Sequence, residues 1–339
     1  MNQKQISLLL LALTLVFVGL ISTLQYLPYQ GSRPQKIIFE VKRGESLTSI
    51  TNRAEQADIL LSPLAFKWTS RLSGQSKSFK SGQYQLEGSI SASGFMDMLI
   101  EGREILLSVT IPEGYRMTEI FQLLKRQGFQ NRGEYLKWAD NPKFVASLKL
   151  PVQTHTLEGF LYPETYFFPK EASERLILAK MVETFKQKVP IGYDKLARRV
   201  GLNYYQAMTL ASIVEKETSK GFERPHISSV FHNRLKKGMK LQTDPTVIYG
   251  IKNYKGNIRR KHLKAYHPYN TYVISGLPPT PIANPGMQSL LAAVRPKATG
   301  DLFFVARGDG THEFTTNFKD HRRAIRRYQL KRKGNYRSY

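Results

Sequence analysis

Residues 205–218 read YQAMTLASIVEKET, and this stretch is the most informative one for the fold. Leu210, Ile213 and Val214 occupy positions i, i+3 and i+4, which is the spacing of one face of an α-helix. The next position of that face, i+7, is Glu217. The pattern therefore predicts a helix that buries an apolar face and carries a carboxyl group at the end of that face.

The two glutamates in this stretch are predicted to differ. By the 3.6-residue period, Glu215 falls on about the opposite face from Glu217, where a solvated charge is expected. A carboxyl group that is partly removed from water has a pKa above its usual value of about 4.3. Glu217 is therefore the candidate general acid and base for cleavage of a glycosidic bond. The alternative is that Glu217 pairs with a Lys or Arg and has only a structural role.

Three later motifs combine Pro and Gly with Gln, Thr, Asn and Tyr: LQTDPTVIYG (residues 241–250), YNTY (269–272) and GLPPTPIANPG (276–286). Pro and Gly favour rigid turns, amides and hydroxyls bond to sugar hydroxyl and N-acetyl groups, and tyrosine faces stack on sugar rings. The motifs therefore predict a polar, sugar-binding groove. The candidate substrate-binding residues are Gln242, Thr243, Asp244, Tyr249, Asn270 and Tyr272. The alternative for each of them is local turn capping.

With these motifs the sequence resembles the membrane-anchored endolytic murein transglycosylases, the YceG-like family. The resemblance also rests on LEGFLYPETY (residues 157–166), ASIVEKET (211–218) and FHNRL (231–235), and it reaches to about Tyr328. Tyr162 and Glu164 stand where Phe and Asp are commoner in the family, which is a mild departure.

The resemblance implies a LysM-like domain followed by a catalytic domain, with the catalytic glutamate of the family at Glu217. It implies a lytic transglycosylase that cleaves the β-1,4 bond between N-acetylmuramic acid and N-acetylglucosamine and leaves a 1,6-anhydro end. The implied partners are peptidoglycan glycan strands and the cell-wall synthases (penicillin-binding proteins), near which nascent strands would be ended. No metal and no cofactor are expected. The alternatives are a hydrolase with the same groove and a non-catalytic peptidoglycan-binding scaffold.

The N-terminal region carries a membrane signal. Residues 6–27 read ISLLLLALTLVFVGLISTLQYL, without a charged residue, and about 20 apolar residues suffice to cross a bilayer as a helix. The sequence after this run lacks a small-x-small cleavage site, which favours an uncleaved signal anchor over a cleaved signal peptide. Residues 1–5 are predicted to be cytoplasmic and the bulk of the chain periplasmic, as a single-pass protein of the inner membrane.

The composition is strongly basic and lacks cysteine. Lys and Arg number 51 against 26 acidic residues, a formal net charge of +25. This charge predicts a polyanionic partner or surface: nucleic acid, anionic lipid or cell-wall polymer. An extracytoplasmic body argues against nucleic acid. The absence of cysteine excludes disulfides, thiolate metal sites and cysteine nucleophiles.

The predicted fold class is α+β, with a transmembrane helix, a small LysM-like α+β domain and a larger α+β catalytic domain. Residues 28–36 are predicted to be a linker, 37–104 the LysM-like domain, and 105–339 the catalytic domain. The LysM-like prediction rests on VKRGESLTSI (residues 41–50), where Gly44 permits a turn and Ser46 can cap a helix. Any small α+β domain with a glycine turn is the alternative. The last nineteen residues hold eight Lys or Arg and no acid, which predicts a basic tail.

Overall fold

The computed structural model of the chain describes residues 3–102, 105–129 and 134–330. The chain divides into two compact units. The first is Met1–Ser108 with Phe167–Ala172, and the second is Val109–Tyr166 with Ser173–Tyr339. Both units contain helices and strands, so the predicted α+β class is confirmed. Residues 101–104 (EGRE) predict a turn, and the structure describes only the first two of them, Glu101 and Gly102. Arg103, Glu104 and about half of the predicted basic tail, residues 331–339, lie outside the described residues.

The first unit begins with helix α1 (Gln3–Tyr26), which has no buried residue. A helix of 24 residues rises about 36 Å, which exceeds the thickness of a bilayer's hydrocarbon core. By length and composition, α1 is therefore able to cross a membrane. Its orientation, and the position of the rest of the chain relative to a membrane, stay predictions.

The rest of the first unit is built on a two-stranded sheet and three helices. Its elements are β1 (Lys36–Val41), α2 (Leu47–Gln56), α3 (Pro63–Leu72), β2 (Gly82–Glu87) and α4 (Ala92–Glu101). The strands pair antiparallel with Phe39 opposite Tyr84, and both side chains are buried in one core with Phe66 and Phe95. The alternation of residues 36–41 predicts a strand, and β1 confirms it at both ends. Ser46 caps α2 by accepting a hydrogen bond from the Ser49 N–H at 3.2 Å. The assignment of this unit as LysM-like stays a prediction.

The second unit is mainly helical. Strand β3 (Leu106–Thr110) leads into it and pairs with β4 (Thr165–Pro169), and a hairpin pairs β5 (Phe303–Ala306) with β6 (His312–Thr315). The helices are α5 (Met117–Arg126), α6 (Glu134–Ala139), α7 (Pro142–Ser147), α8 (Glu174–Lys188), α9 (Tyr193–Arg199), α10 (Tyr204–Glu217), α11 (Arg224–Lys236), α12 (Asp244–Gly250), α13 (Arg260–Lys264), α14 (Met287–Val294) and α15 (Phe318–Ile325).

Helix α10 lies at the centre of the second unit. Asn203 caps its first turn and Gln206 bonds back to the Asn203 N–H, so two amide groups that lack helical partners are satisfied. Every residue from Ala207 to Val214 is buried, because α9, α11, α12 and α14 all pack against this helix. The predicted helix is confirmed, but it has no broad solvated face over these residues.

The Pro and Gly residues after Leu241 predict a turn-rich region with short strands, and the structure departs from this prediction. Three short helices, α12, α13 and α14, precede the hairpin of β5 and β6. Pro245 lies in the first turn of α12, where a residue without an N–H costs no helical hydrogen bond. The LQTDPTVIYG motif therefore leads into a helix rather than forming a strand.

Candidate active site

Glu217 lies where two adjoining cavities of the second unit meet. The larger has a volume of about 1510 Å³ and the smaller of about 690 Å³. Both are lined by Glu217, Pro245 and Tyr254. The two cavities therefore adjoin at this carboxyl group.

The carboxyl group of Glu217 is partly buried at the last residue of α10. Burial raises its pKa to about 7; the Thr243 hydrogen bond and the charge of Arg234 oppose this rise, and the charge of Asp244 adds to it. The Thr243 hydroxyl donates its hydrogen bond directly to Glu217 Oε1. Near neutral pH, this group can therefore both give and take a proton.

Thr243 is held in place by a network of hydroxyl and backbone groups. Its N–H donates to Thr271 Oγ1 at 3.1 Å, and the hydroxyl of Thr246 donates to its carbonyl at 2.8 Å. Gln242, one residue earlier, has a φ of +51°, which is uncommon for a residue with a side chain. The Gln242 N–H donates to the Thr271 carbonyl at 3.1 Å. This backbone conformation turns the chain so that Thr243 reaches Glu217.

Four of the six predicted substrate-binding residues line the smaller cavity together with Glu217. They are Gln242, Thr243, Asp244 and Tyr272. The Tyr272 hydroxyl donates to Asp244 Oδ1 at 2.8 Å, and burial followed by the charge of Asp244 raises the pKa of Tyr272. The carboxylate, amide and hydroxyl groups of this wall are able to bond to the polar edges of a sugar.

The other two predicted residues, Asn270 and Tyr249, do not line either cavity. The buried amide of Asn270 donates to the carbonyls of His262, Leu263 and Ala265 at 3.0, 3.2 and 2.6 Å. Asn270 therefore braces a turn, which is the alternative that its residue type leaves open. Tyr249 donates its hydroxyl to Glu158 Oε2 at 3.1 Å and supports a buried carboxyl group.

Comparisons with known proteins identify the family. The profile of the YceG-like family matches residues 39–327, which is most of the chain. The chain belongs to the YceG-like family. An endolytic murein transglycosylase of Bacillus subtilis is 30% identical, over 89% of this chain and 87% of that protein. A protein of the same name from Streptococcus pneumoniae is 25% identical, over 92% of this chain and 63% of that longer protein. The crystal structure of a YceG-like protein from Listeria monocytogenes matches with a TM-score of 0.59 and 30% identity, over 85% of this chain and 98% of that one.

In this YceG-like chain, Glu215 is buried, so the expectation of a solvated charge is wrong. Its side chain is 5% exposed, and its carboxylate pairs with Arg224 at 2.9 Å and accepts from the Gly286 N–H at 3.0 Å. Burial raises the pKa of Glu215, and the Arg224 charge opposes that rise. The reason for the error is that neighbouring helices cover α10 on more than one side, which helical periodicity alone does not reveal.

Arg224 joins two carboxylates of this YceG-like chain. Its guanidinium group contacts Glu215 at 2.9 Å and the half-exposed Glu113 at 3.4 Å. The cluster ties the end of α10 to the start of α11 and to the chain after β3. The sequence does not predict this cluster, because Glu113 is far from the other two residues along the chain and Glu215 is expected to face solvent.

Arg234 and Glu158 are two further buried charged groups that the sequence analysis does not single out. Arg234 lines the smaller cavity and donates to the carbonyls of Leu241 and Leu302, both at 2.7 Å. Glu158 accepts from the Met117 N–H at 2.9 Å, and burial raises its pKa to about 7. Arg234 lies in FHNRL and Glu158 in LEGFLYPETY, two motifs that carry the family resemblance. Their place in these motifs is the feature of the sequence that could have indicated them.

Among residues 3–102, 105–129 and 134–330, no group of three or more His, Cys, Asp or Glu side chains is placed to hold a metal ion. The polar groups that line the two cavities are carboxyls, hydroxyls, amides, imidazoles, the Lys216 ammonium group and the guanidinium groups of Arg116, Arg224 and Arg234.

Proposed function

We propose that the chain is a peptidoglycan lytic transglycosylase with Glu217 as its catalytic acid and base. The observation that carries the proposal is the partly buried carboxyl group at the meeting point of two cavities, with a pKa of about 7. The names of the bacillary and pneumococcal relatives support the activity and its substrate. A single titrating group of the protein suffices for this reaction, because the nucleophile is a hydroxyl group of the substrate itself.

In the proposed mechanism, protonated Glu217 donates its proton to the glycosidic oxygen as that bond breaks and C1 of the muramic acid gains oxocarbenium character. The resulting carboxylate then accepts the proton of the C6 hydroxyl of the same sugar, whose oxygen attacks C1. A 1,6-anhydro ring forms, and no water is consumed. Attack within one sugar ring benefits from the high effective concentration of the two reacting atoms.

The groups around Glu217 support this cycle. The Thr243 hydroxyl stabilises the carboxylate and fixes its orientation, while Asp244 disfavours the loss of the proton. The polar side chains of Gln242, Asp244 and Tyr272 are proposed to hold the sugars in the smaller cavity. Two cavities that adjoin at Glu217 suit a bond that has sugar units on either side of it.

The membrane and partner assignments belong to the same proposal. We infer that α1 anchors the chain in the inner membrane, with residues 28–339 in the periplasm, and that residues 37–104 form a LysM-like domain. In this location the enzyme would end nascent strands beside the cell-wall synthases. A reporter enzyme that is active only outside the cytoplasm, fused after Tyr339, tests the orientation.

Product analysis tests the activity. Purified glycan strands are incubated with the chain, and the new ends are identified by mass spectrometry. We expect 1,6-anhydro-N-acetylmuramic acid ends, which are lighter by the mass of one water molecule than the hydrated ends that a hydrolase leaves. Reducing ends would assign the groove to hydrolysis, and binding without new ends would indicate a non-catalytic scaffold.

The pH dependence of cleavage is expected to shift when the Thr243 hydroxyl is removed. A general acid acts in its protonated form, so kcat/KM falls as pH rises through the pKa of Glu217, about 7. The Thr243 hydrogen bond lowers this pKa. Thr243→Val should therefore move the decrease of kcat/KM to higher pH, by roughly half a pH unit to one pH unit. The measurement is the pH profile of kcat/KM for anhydro-end formation.

Thr110→Val is the matched control for this shift. Thr110 is exposed, and its hydroxyl bonds to Thr165 at 2.9 Å without lining either cavity. Its pH profile should coincide with that of the wild type. A shift to lower pH in Thr243→Val would contradict the role given to the hydroxyl.

A further inference from the structure

An acid-free stretch of the second unit carries a dense group of cations. Residues 245–300 contain eight Lys or Arg and no Asp or Glu. Six of these cations fall within residues 252–264, here called the basic segment, and all six are exposed: Lys252, Lys255, Arg259, Arg260, Lys261 and Lys264. Within the part of the chain that the structure describes, none of the six forms an ion pair. Their charges are therefore available to a ligand.

The second half of the basic segment, from Arg259 onward, is held in a defined conformation. The buried Asn270 amide donates to the carbonyls of His262 and Leu263 within it and of Ala265 directly after it. The Arg259 N–H donates to His262 Nδ1 at 3.1 Å at the start of the short helix α13. Because the backbone is already ordered, an anion that binds here does not have to order it.

The basic segment also forms part of the groove that contains Glu217. Tyr254, Asn257, Ile258 and Leu263 line the smaller cavity, and Tyr254 lines the larger one as well. These lining residues are interspersed along the chain with the six exposed cations. A polymer bound in the groove would therefore pass beside the cations.

We propose that the basic segment binds the carboxylates of the stem peptides on the strand whose sugars occupy the two cavities. This inference rests on the proposed function. The N-acetylated sugars of such a strand are uncharged when the lactyl group of the muramic acid is linked to a peptide, so the anions of the strand are the peptide carboxylates. Lysine and arginine bind carboxylates by charge-assisted hydrogen bonds. A site for uncharged sugars alone does not require such a group of cations.

The test compares two substrates and two triple variants of the full chain in detergent. The substrates are glycan strands that carry stem peptides and the same strands after an amidase has removed the peptides and the lactyl carboxylates thereby exposed have been converted chemically to uncharged amides. The variant is Arg259→Gln, Arg260→Gln, Lys261→Gln. The control is Lys143→Gln, Lys195→Gln, Arg199→Gln, which removes the same charge from exposed positions outside both cavities.

The measured quantity is the ratio of kcat/KM on peptide-bearing strands to kcat/KM on peptide-free strands. We expect the variant to lower this ratio roughly tenfold, because each exposed ion pair changes binding by a factor of about two to five. The control should keep the wild-type ratio. Raising the salt concentration should lower the wild-type ratio toward that of the variant, because salt screens exposed charges.

Two outcomes would overturn the inference. The first is an equal ratio in the wild type and the variant while both form anhydro ends. The second is seen when the wild type and the variant are also assayed in vesicles: a loss of activity in the variant that is equal on both substrates and occurs in phosphatidylglycerol but not in phosphatidylcholine would assign the cations to a lipid surface. Failure of the proposed function is distinguishable, because the wild type would then form no anhydro ends from either substrate.

Discussion

Replacing Glu217 with Gln is expected to lower the rate of anhydro-end formation by roughly 10²–10⁴-fold, the usual contribution of a general acid or base. Glutamine has nearly the same shape, and its side-chain oxygen can still accept the Thr243 hydrogen bond. It has no proton to exchange near neutral pH. The fold and the binding of glycan strands should therefore be retained while turnover is lost.

Three measurements separate this outcome from a trivial loss of structure. The rate of anhydro-end formation is measured by mass spectrometry, binding by co-sedimentation with insoluble peptidoglycan, and folding by circular dichroism. Glu183→Gln is the matched control, since Glu183 is an exposed carboxylate of α8 outside both cavities. Cleavage by Glu217→Gln at a rate close to that of the wild type would remove Glu217 from the mechanism.

Replacing Arg224 with Met is expected to lower the free energy of unfolding of the second unit by about 3–5 kcal/mol. Methionine retains much of the side-chain volume but leaves the Glu215 carboxylate buried without its cation. Removing one partner of a buried ion pair costs more than the pair contributes, because the remaining charge stays out of water. Glu113 is half exposed and can be solvated, so the loss arises mainly from Glu215.

The chain offers a local probe for this measurement. It contains two tryptophans, Trp68 in the first unit and Trp138 in the second. In a Trp68→Phe background, fluorescence during urea unfolding reports on the second unit alone. The double variant Arg224→Met, Glu215→Gln should recover much of the lost stability, because an amide is easier to bury than an unpaired charge. A double variant as unstable as Arg224→Met would show that the ion pair is not the cause.

Helices with strong local signals can be predicted from the sequence. The sequence pattern predicts helices at residues 117–127, 173–188 and 204–219. The bounds of α5, α8 and α10 differ from these by one or two residues, because apolar periodicity and capping side chains act within a single turn. Helices α11 to α14 are not predicted from the sequence pattern. Two of them, α12 and α13, are shorter than eight residues, and their stability depends on packing by distant parts of the chain.

The candidate site can be predicted only in part, because residue type does not determine whether a polar side chain points into the groove or bonds to a neighbouring turn. Gln242, Thr243 and Asp244 are consecutive, so the position of one near Glu217 brings the others with it. Asn270 has the chemistry of a sugar ligand, but its amide braces a turn, and residue type does not distinguish these uses. The burial of Glu215 depends on neighbours that are distant in sequence, which periodicity does not report.

The position of Glu217 as the last residue of α10 has an electrostatic consequence for the groove. Aligned peptide dipoles give the C-terminal end of a helix a partial negative charge of about half an electron. This end of α10 opens into both cavities. A cation that develops on a sugar there is stabilised by the backbone itself, in a way that no side-chain substitution along the groove removes.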